Sequence, residues 1–306
     1  MTTSKYHQPV LLHESVDGLI TDTDGVYVDA TFGGGGHSQA IMERLGNGHL
    51  VGFDKDPDAE VNAPDAENFT FVNHDFIYMR NYLRYFELLP VTGILADLGV
   101  SSRQIDNPER GFAHRYNAQL DMRMDPDSRT SAFDVVNHYT EEKLIRIFRD
   151  YGELRNARKI AAQIIHHRNE GSIKSTEKLA SIISEVMPSR KEVKFLSMAF
   201  QAIRLEVNSE IDRLKKFLHE ALKILKPEGR LAVIAYHSLE DRVVKRFFAT
   251  GNFEGIPNKD EKGNLLRPFE PVTRKPIKPA ENEIEENPRA RSARLRIAKK
   301  TDYAGE

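Results

Sequence analysis

The chain has no cysteine among its 306 residues, which removes disulfides, thiolate metal sites and a cysteine nucleophile together. A reducing, cytoplasmic setting suits that composition. No apolar run approaches the roughly 18 residues needed to span a bilayer, and Met1–Pro9 does not read as a signal peptide, so no membrane partner is expected. Charge of one sign is also missing: 44 basic and 46 acidic residues leave a formal −2, which does not advertise nucleic-acid binding. Two phosphate-binding signatures are absent as well. A dinucleotide fingerprint needs a third glycine or alanine, and the two registers, counted from Gly33 or Gly34, put Ser38 or Gln39 there. No G-K-[ST] follows, so a P-loop is excluded. No His/Asp/Glu grouping has metal-ligand spacing, and His166 and His167 point to different sides of a helix, so no metal is expected.

What is present is a β-branched run entering a four-glycine turn, V-Y-V-D-A-T-F-G-G-G-G-H at Val26–His37, followed by G-F-D-K-D-P at Gly52–Pro57. Asp54 lies 19 residues after Gly35, near the ~20 expected of an acid that takes ribose hydroxyls from a second strand. An acidic strand end at Asp29, a glycine turn and this second acid suit S-adenosylmethionine, which carries adenosine but no phosphate. Its carboxylate would sit on free N–H groups where a helix begins near His37, and its ammonium and sulfonium favour carboxylates. The competing reading is a glycine turn that only allows tight strand–helix packing; Asp29 and Asp54 favour the ligand.

Strand-like runs at Val26–Thr31, His49–Asp54, Phe69–Asn73 and Val91–Asp97 alternate with helical patterns at Gln39–Leu45 and Ile77–Phe86. That order predicts an α/β fold with a parallel, doubly wound sheet and a ligand crevice at the strands' carboxyl ends. The next strand, Arg230–Tyr236, follows 132 intervening residues, far more than a crossover needs. Ser209–Leu225 can serve as the crossover helix. Further helices are expected around Thr140–Tyr151, Glu153–Gly171, Ser175–Met187 and Glu192–Val207, with Thr140 and Ser175 as N-caps. The predicted organisation is therefore a cofactor-binding domain of residues 1–105 and 209–306, and an inserted all-helical substrate-recognition domain of residues 106–208. Gly251–Pro279 reads as a long excursion. Near the end, Arg289, Arg291, Arg294, Arg296, Lys299 and Lys300 alternate with apolar positions, as an edge strand forming a phosphate rail would.

Further motifs are D-L-G-V-S-S-R-Q (Asp97–Gln104), R-G-F (Arg110–Phe112), L-D-M-R-M-D (Leu120–Asp125), F-Q-A-I-R (Phe200–Arg204), V-N-S-E (Val207–Glu210), Y-H-S-L-E-D-R (Tyr236–Arg242) and N-P-R-A-R-S (Asn287–Ser292). No Pro-Pro-aromatic follows Asp97, unlike the ordinary DNA amino-methyltransferases. With P-V-L-L-H-E at Pro9–Glu14, the set closely resembles the bacterial 16S rRNA (cytosine-N4)-methyltransferase family, RsmH or MraW, over nearly the whole chain. The resemblance implies a class I, Rossmann-like methyltransferase with an inserted helical domain. It implies methylation of N4 of a cytidine in the decoding centre (cytidine 1402 in the conventional rRNA numbering), with 16S rRNA in the small ribosomal subunit as partner. Cofactor contacts carried over with the motifs are Gly35, Gly36, His37, Asp54, Phe76 against the adenine, and Asp97 and Gln104 at the methionine end. The chain departs from the family pattern at Arg103, at Ala113 and His114, and at Ser197–Ala199; the last two groups bear on RNA contact rather than on chemistry. A homodimer is compatible with the sequence.

The N4 amine of cytosine is a poor nucleophile, and its proton must be relieved as the new bond forms. Asp97 is the best-placed acceptor, unless it serves only the cofactor; His237 and Asp121 are secondary candidates. Each has a structural alternative. Y-H-S-L-E-D-R could start a helix with Ser238 as N-cap and Asp241 as capping acid, and Asp121, Arg123 and Asp125 could form an ion-pair cluster. Phe112, Tyr116 and Tyr236 are candidate grips for a flipped base. Arg110, Arg289, Arg291 and Arg294 are the candidate phosphate contacts.

Overall fold

The computed structural model describes residues 9–100, 107–186 and 192–303. The chain divides into two compact units, one of Met1–Gly99 with Asp212–Glu306 and one of Val100–Ile211.

The first unit is built on a mixed sheet of seven strands in the order β3-β2-β1-β4-β5-β9-β8. Strands β1 (Val26–Asp29), β2 (His49–Asp54), β3 (Phe69–Asn73), β4 (Val91–Asp97) and β5 (Leu225–Ala235) run parallel. In β1, β2 and β4 the central residues are buried on both faces, which explains apolar runs such as Leu50–Phe53 and Ile94–Ala96 in place of strict alternation. A hairpin of β6 (Asn258–Lys259) and β7 (Leu265–Leu266) and the short β8 (Phe269–Pro271) lie within the expected excursion. The doubly wound expectation is borne out, with one correction. Strand β9 (Arg294–Lys300) is not an edge: it pairs antiparallel with β5 on one side and with β8 on the other. Pro271 ends β8, the true edge, where a residue without an N–H costs no ladder bond.

Helix Leu12–Leu19 packs on β4, β5 and β9, and Glu210–Ile224 supplies the crossover into β5. Strand order reverses between β1 and β4, so the crevice opens at the carboxyl ends of these two strands. There Ala30 N donates to Leu95 O at 2.8 Å and Asp97 N donates to Thr31 Oγ1 at 2.7 Å, locking the two strand ends together.

The second unit is helical, with Ala132–His138, Glu141–Arg146, Ala157–Glu170, Thr176–Ser184 and Glu192–Val207 around one apolar cluster that includes Phe148, Ile160, Ile164, Ile182 and Ile203. Thr140 and Ser175 cap their helices as expected, accepting from Lys143 N (3.4 Å) and Lys178 N (3.2 Å). Such caps contribute about 1 kcal/mol each. A capping box at Ser131–Asp134 starts a helix that the hydrophobic pattern did not reveal. The helix expected over Thr140–Tyr151 becomes a π turn at Ile147–Tyr151, closed by Gly152 N donating to Ile147 O.

Candidate functional site

The site grows from the end of β1. Asp29 is 2 % exposed; Thr31 N donates to its Oδ1 (3.1 Å) and the Ser38 hydroxyl to its Oδ2 (2.8 Å). Burial nonetheless outweighs these bonds and pushes the carboxyl up to about 6. The glycine turn follows. Gly35 sits at φ 77°, in the left-handed region that favours glycine, and a Cβ there would lie 3.1 Å from Phe32 Cζ. Gly36 is needed for a different reason, because Pro9 packs where its Cβ would be. At the end of β2, Asp54 receives Gly33 N on Oδ2 (2.7 Å) and Asp56 N on Oδ1 (2.9 Å), so it clamps the turn from the neighbouring strand. Burial raises its pKa against those bonds.

His37 is buried at the start of helix Gly36–Met42. Its Nε2 lies 3.1 Å from Val10 O, a carbonyl that can only accept, so this nitrogen donates. The incoming Pro9–Leu11 segment is tied a second time by Leu11 N donating to Glu283 Oε1 (2.7 Å).

Asp97 ends β4 in the crevice. Burial pushes its carboxyl up to about 6, opposed by His37 and by a hydrogen bond from the Tyr236 hydroxyl, and reinforced by the charges of Asp29 and Glu240. The Tyr236 phenol is driven well above 10 by burial and then by Asp97, so it stays protonated and donates. Asp97 Oδ1 is buried with no hydrogen-bond partner among the described residues. Such an orphan costs about 1–3 kcal/mol or more and marks a place where a ligand group is expected. Below it Glu240, 3 % exposed, accepts Tyr236 N on Oε2 at 3.0 Å. Asp29, Asp97 and Glu240 make the cluster predominantly acidic, which disfavours phosphate and suits a cation.

Comparison with known proteins decides the family. The family model described as the MraW methylase family matches residues 4–301. The chain is 52% identical over 300 residues to a protein of Flavobacterium johnsoniae named ribosomal RNA small subunit methyltransferase H, covering 98% of this chain and 99% of that one. Proteins of the same name from Bacteroides thetaiotaomicron (52% over 296 residues, 96% and 97% covered) and Christiangramia forsetii (48% over 301 residues, 98% and 99% covered) are similar along their whole length too. The chain belongs to the MraW methylase family.

Methylases of this family draw their methyl group from S-adenosylmethionine, and the site fits that group on its own terms. The orphaned Asp97 Oδ1 and the two carboxyls raised by burial are what a sulfonium and an ammonium would relieve. Beyond Gly33, a Cβ on Gly34 would meet nothing within 4 Å, so the turn's surface is open. Phe76, after β3, is half-buried, with its ring edge-on to Phe217 at 5.2 Å and the Arg213 guanidinium 5.9 Å from its centroid; Arg213 pairs with Asp75. Gln104 and Arg103 lie outside the described residues.

Other expected site residues of this MraW-family chain carry structural loads. His237, and not Ser238, is the N-cap of helix Ser238–Thr250, its Nδ1 accepting Glu240 N at 3.4 Å. Its Nε2 stands 3.1 Å from Glu240 Oε1 but off the hydrogen-bonding direction. Asp241 is not a capping acid: Arg296 and Arg294 grip it at 2.6 and 3.1 Å and hold its pKa down against burial. Arg294 is therefore not a free phosphate contact. Lys299 pairs with Glu228 (2.8 Å), and Lys300 donates to Leu225 O (2.8 Å), so β9 is no rail. Arg291 is exposed on the turn Pro288–Ser292 and Arg289 is half-buried there.

In the second unit Asp121 binds Arg123 bidentately (2.7 and 3.2 Å), while Arg123 Nη1 donates to Pro126 O and Ser128 O. The ion-pair reading of L-D-M-R-M-D thus describes Asp121, rather than a catalytic one. Arg110 Nη2 donates to Arg123 O (2.7 Å) and Met124 O (3.2 Å), which commits half its guanidinium to the same turn. Asn208 of V-N-S-E closes it, accepting Met124 N and donating to Met122 O. Two positions that depart from the family pattern meet, His114 Nε2 lying 3.2 Å from Ser197 Oγ. Sequence reasoning missed Glu240 and the Tyr236–Asp97 bond. The available signal was an acid four residues after Tyr236, at the start of a helix.

Proposed function

We propose that this chain is a small-subunit rRNA methyltransferase that moves a methyl group from S-adenosylmethionine to N4 of a cytidine in the decoding centre of 16S rRNA. The observation that carries the chemistry is Asp97 Oδ1 at the switch point of the sheet, buried and without a hydrogen-bond partner among the described residues. When bound, S-adenosylmethionine supplies an electrophilic methyl group on a sulfonium. Asp54 and the Gly33–Gly36 turn would hold its adenosine, Phe76 would line the adenine, and Asp29 and His37 would face its amino-acid end.

Asp97 then has two tasks. As an anion it accepts a hydrogen bond from the exocyclic N–H and aims the nitrogen lone pair. As the N4–methyl bond forms and the S–methyl bond breaks, it takes the proton that N4 sheds. A carboxyl raised to about 6 is mostly ionised at neutral pH yet more basic than an ordinary aspartate, which suits both tasks. Tyr236, held protonated, fixes the carboxylate's orientation through its hydrogen bond. His237 and Asp121 have no part in this scheme. Arg291, exposed and basic, stays a candidate phosphate contact.

The test uses small subunits from cells lacking this methylase, incubated with the protein and methyl-labelled S-adenosylmethionine, then digested to nucleosides for mass spectrometry. Labelled N4-methylcytidine at one decoding-centre position is expected. Label on another base or atom, or none despite cofactor binding, overturns the assignment.

A further inference from the structure

The helical unit holds a basic concavity to which none of the motifs above contributes. It has a volume of about 500 Å3, and its lining includes Arg149, Arg155, Arg158 and Lys159 around apolar Leu154 and Ala157, with no acidic residue among the lining groups. Arg149 is held by its neighbour Asp150 at 2.7 Å. Arg155, Arg158 and Lys159 are exposed and have no ion-pair or hydrogen-bond partner among the described residues. In a chain of net charge −2, where the basic residues of β9 are taken up by acids and a carbonyl, these three cations share one rim without a partner among the described residues. They repel one another, and a polyanion is the ligand that relieves this.

The local backbone adds to the field. The 14-residue helix Ala157–Glu170 starts at the rim, and its N-cap Asn156 makes no side-chain bond into the first turn, donating instead to Val186 O at 3.2 Å. The first-turn amides thus keep their positive end uncapped by Asn156. The π turn Ile147–Tyr151, a feature frequent at functional sites, carries Arg149 into the lining. A volume of this size accommodates a nucleotide unit, with apolar carbons for a ribose and cations for the phosphates on either side.

We propose that this concavity binds RNA backbone phosphates and is a docking point for the small-subunit RNA; the inference rests on the rRNA reading above. The test compares the full-length wild-type chain with an Arg155→Gln/Arg158→Gln/Lys159→Gln variant and a charge-preserving Arg155→Lys/Arg158→Lys variant. Three quantities are measured: filter binding of deproteinised 16S rRNA between about 50 and 200 mM salt, KM and kcat on unmethylated small subunits, and S-adenosylmethionine affinity by calorimetry. Expected for the glutamine variant are RNA binding weaker by tenfold or more and a log–log salt slope smaller by about 2–3. KM should rise while kcat and cofactor affinity hold, and the lysine variant should keep its RNA binding. Unchanged RNA affinity and slope overturn the proposal. So does weaker binding to intact subunits with unchanged affinity for deproteinised RNA, which assigns the concavity to a ribosomal protein. RNA binding is read without methyl transfer, so a wild-type chain that binds RNA through these residues yet fails to methylate would overturn the activity and leave the docking point standing.

Discussion

Two aspartates in motif-like settings, one in each unit, have opposite surroundings. Asp97, on the sheet, is half-buried, but its Oδ1 is buried without a hydrogen-bond partner among the described residues, and its pKa is raised to about 6. Asp121, in the helical unit, is 28% exposed at the side chain and has both oxygens on Arg123. A carboxylate whose partners are complete is doing structural work. One with an oxygen that the fold buries and leaves incomplete destabilises the empty protein, and that deficit is available to a ligand.

The sharpest way to break this contrast is to neutralise each acid. Asp97→Asn should slow methyl transfer by roughly 10²- to 10⁴-fold. It should leave the melting temperature of the cofactor-free protein at pH 7 unchanged or higher, because a desolvated charge is gone. Asp121→Asn should lower the melting temperature and leave turnover per folded molecule nearly intact. Equal losses of turnover in the two variants would end the distinction.

Asn208→Ala tests the structural side alone. It orphans Met124 N and Met122 O in a buried turn, and urea unfolding should show a loss of about 2–4 kcal/mol without a change in cofactor affinity. Asp54→Ala tests the binding side. Loss of the carboxylate that clamps Gly33 N should weaken S-adenosylmethionine binding about tenfold or more in calorimetry, while kcat at saturating cofactor falls far less than in Asp97→Asn.

The pH dependence reads the acids at the strand ends directly. Asp29 and Asp97 have folded values of about 6 against an ordinary 3.8. Between those limits the folded chain binds more protons than the unfolded one. The cofactor-free protein should therefore lose stability as pH rises from 3.8 to about 6 and level off above, by at most about 3 kcal/mol per group. Methyl transfer should rise with pH through about 6 and plateau about one unit above, and the residual rate of Asp97→Asn should lack that step. The smallest effect is expected at Arg291, whose exposed side chain should shift stability by less than about 0.5 kcal/mol when changed to Gln.

Local pattern made much of this legible. Strands β2 and β4 begin and end where the apolar runs do, and helix Glu192–Val207 matches its periodicity, because burial on both faces of a sheet and on one stripe of a helix writes itself into sequence. The glycine turn, Asp54 and Asp97 were equally visible, since only particular residues tolerate a left-handed turn or a strand end facing a crevice. Less visible were helix Ala132–His138, seven residues long, and the cap at His237, an uncommon capping residue.

The sequence by itself therefore determined the doubly wound sheet, the glycine turn and the acids at the strand ends, all of which depend on residues close together along the chain. Only the tertiary structure decided what each charge does. Arg294 and Arg296 look like a phosphate rail until Asp241, more than 50 positions earlier, is found against them. Asp97 looks like any strand-end acid until Tyr236 and Glu240 arrive from the far side of a long insertion. Electrostatic energy depends on distance in space and on the water excluded between groups, and neither quantity is written in the order of the residues.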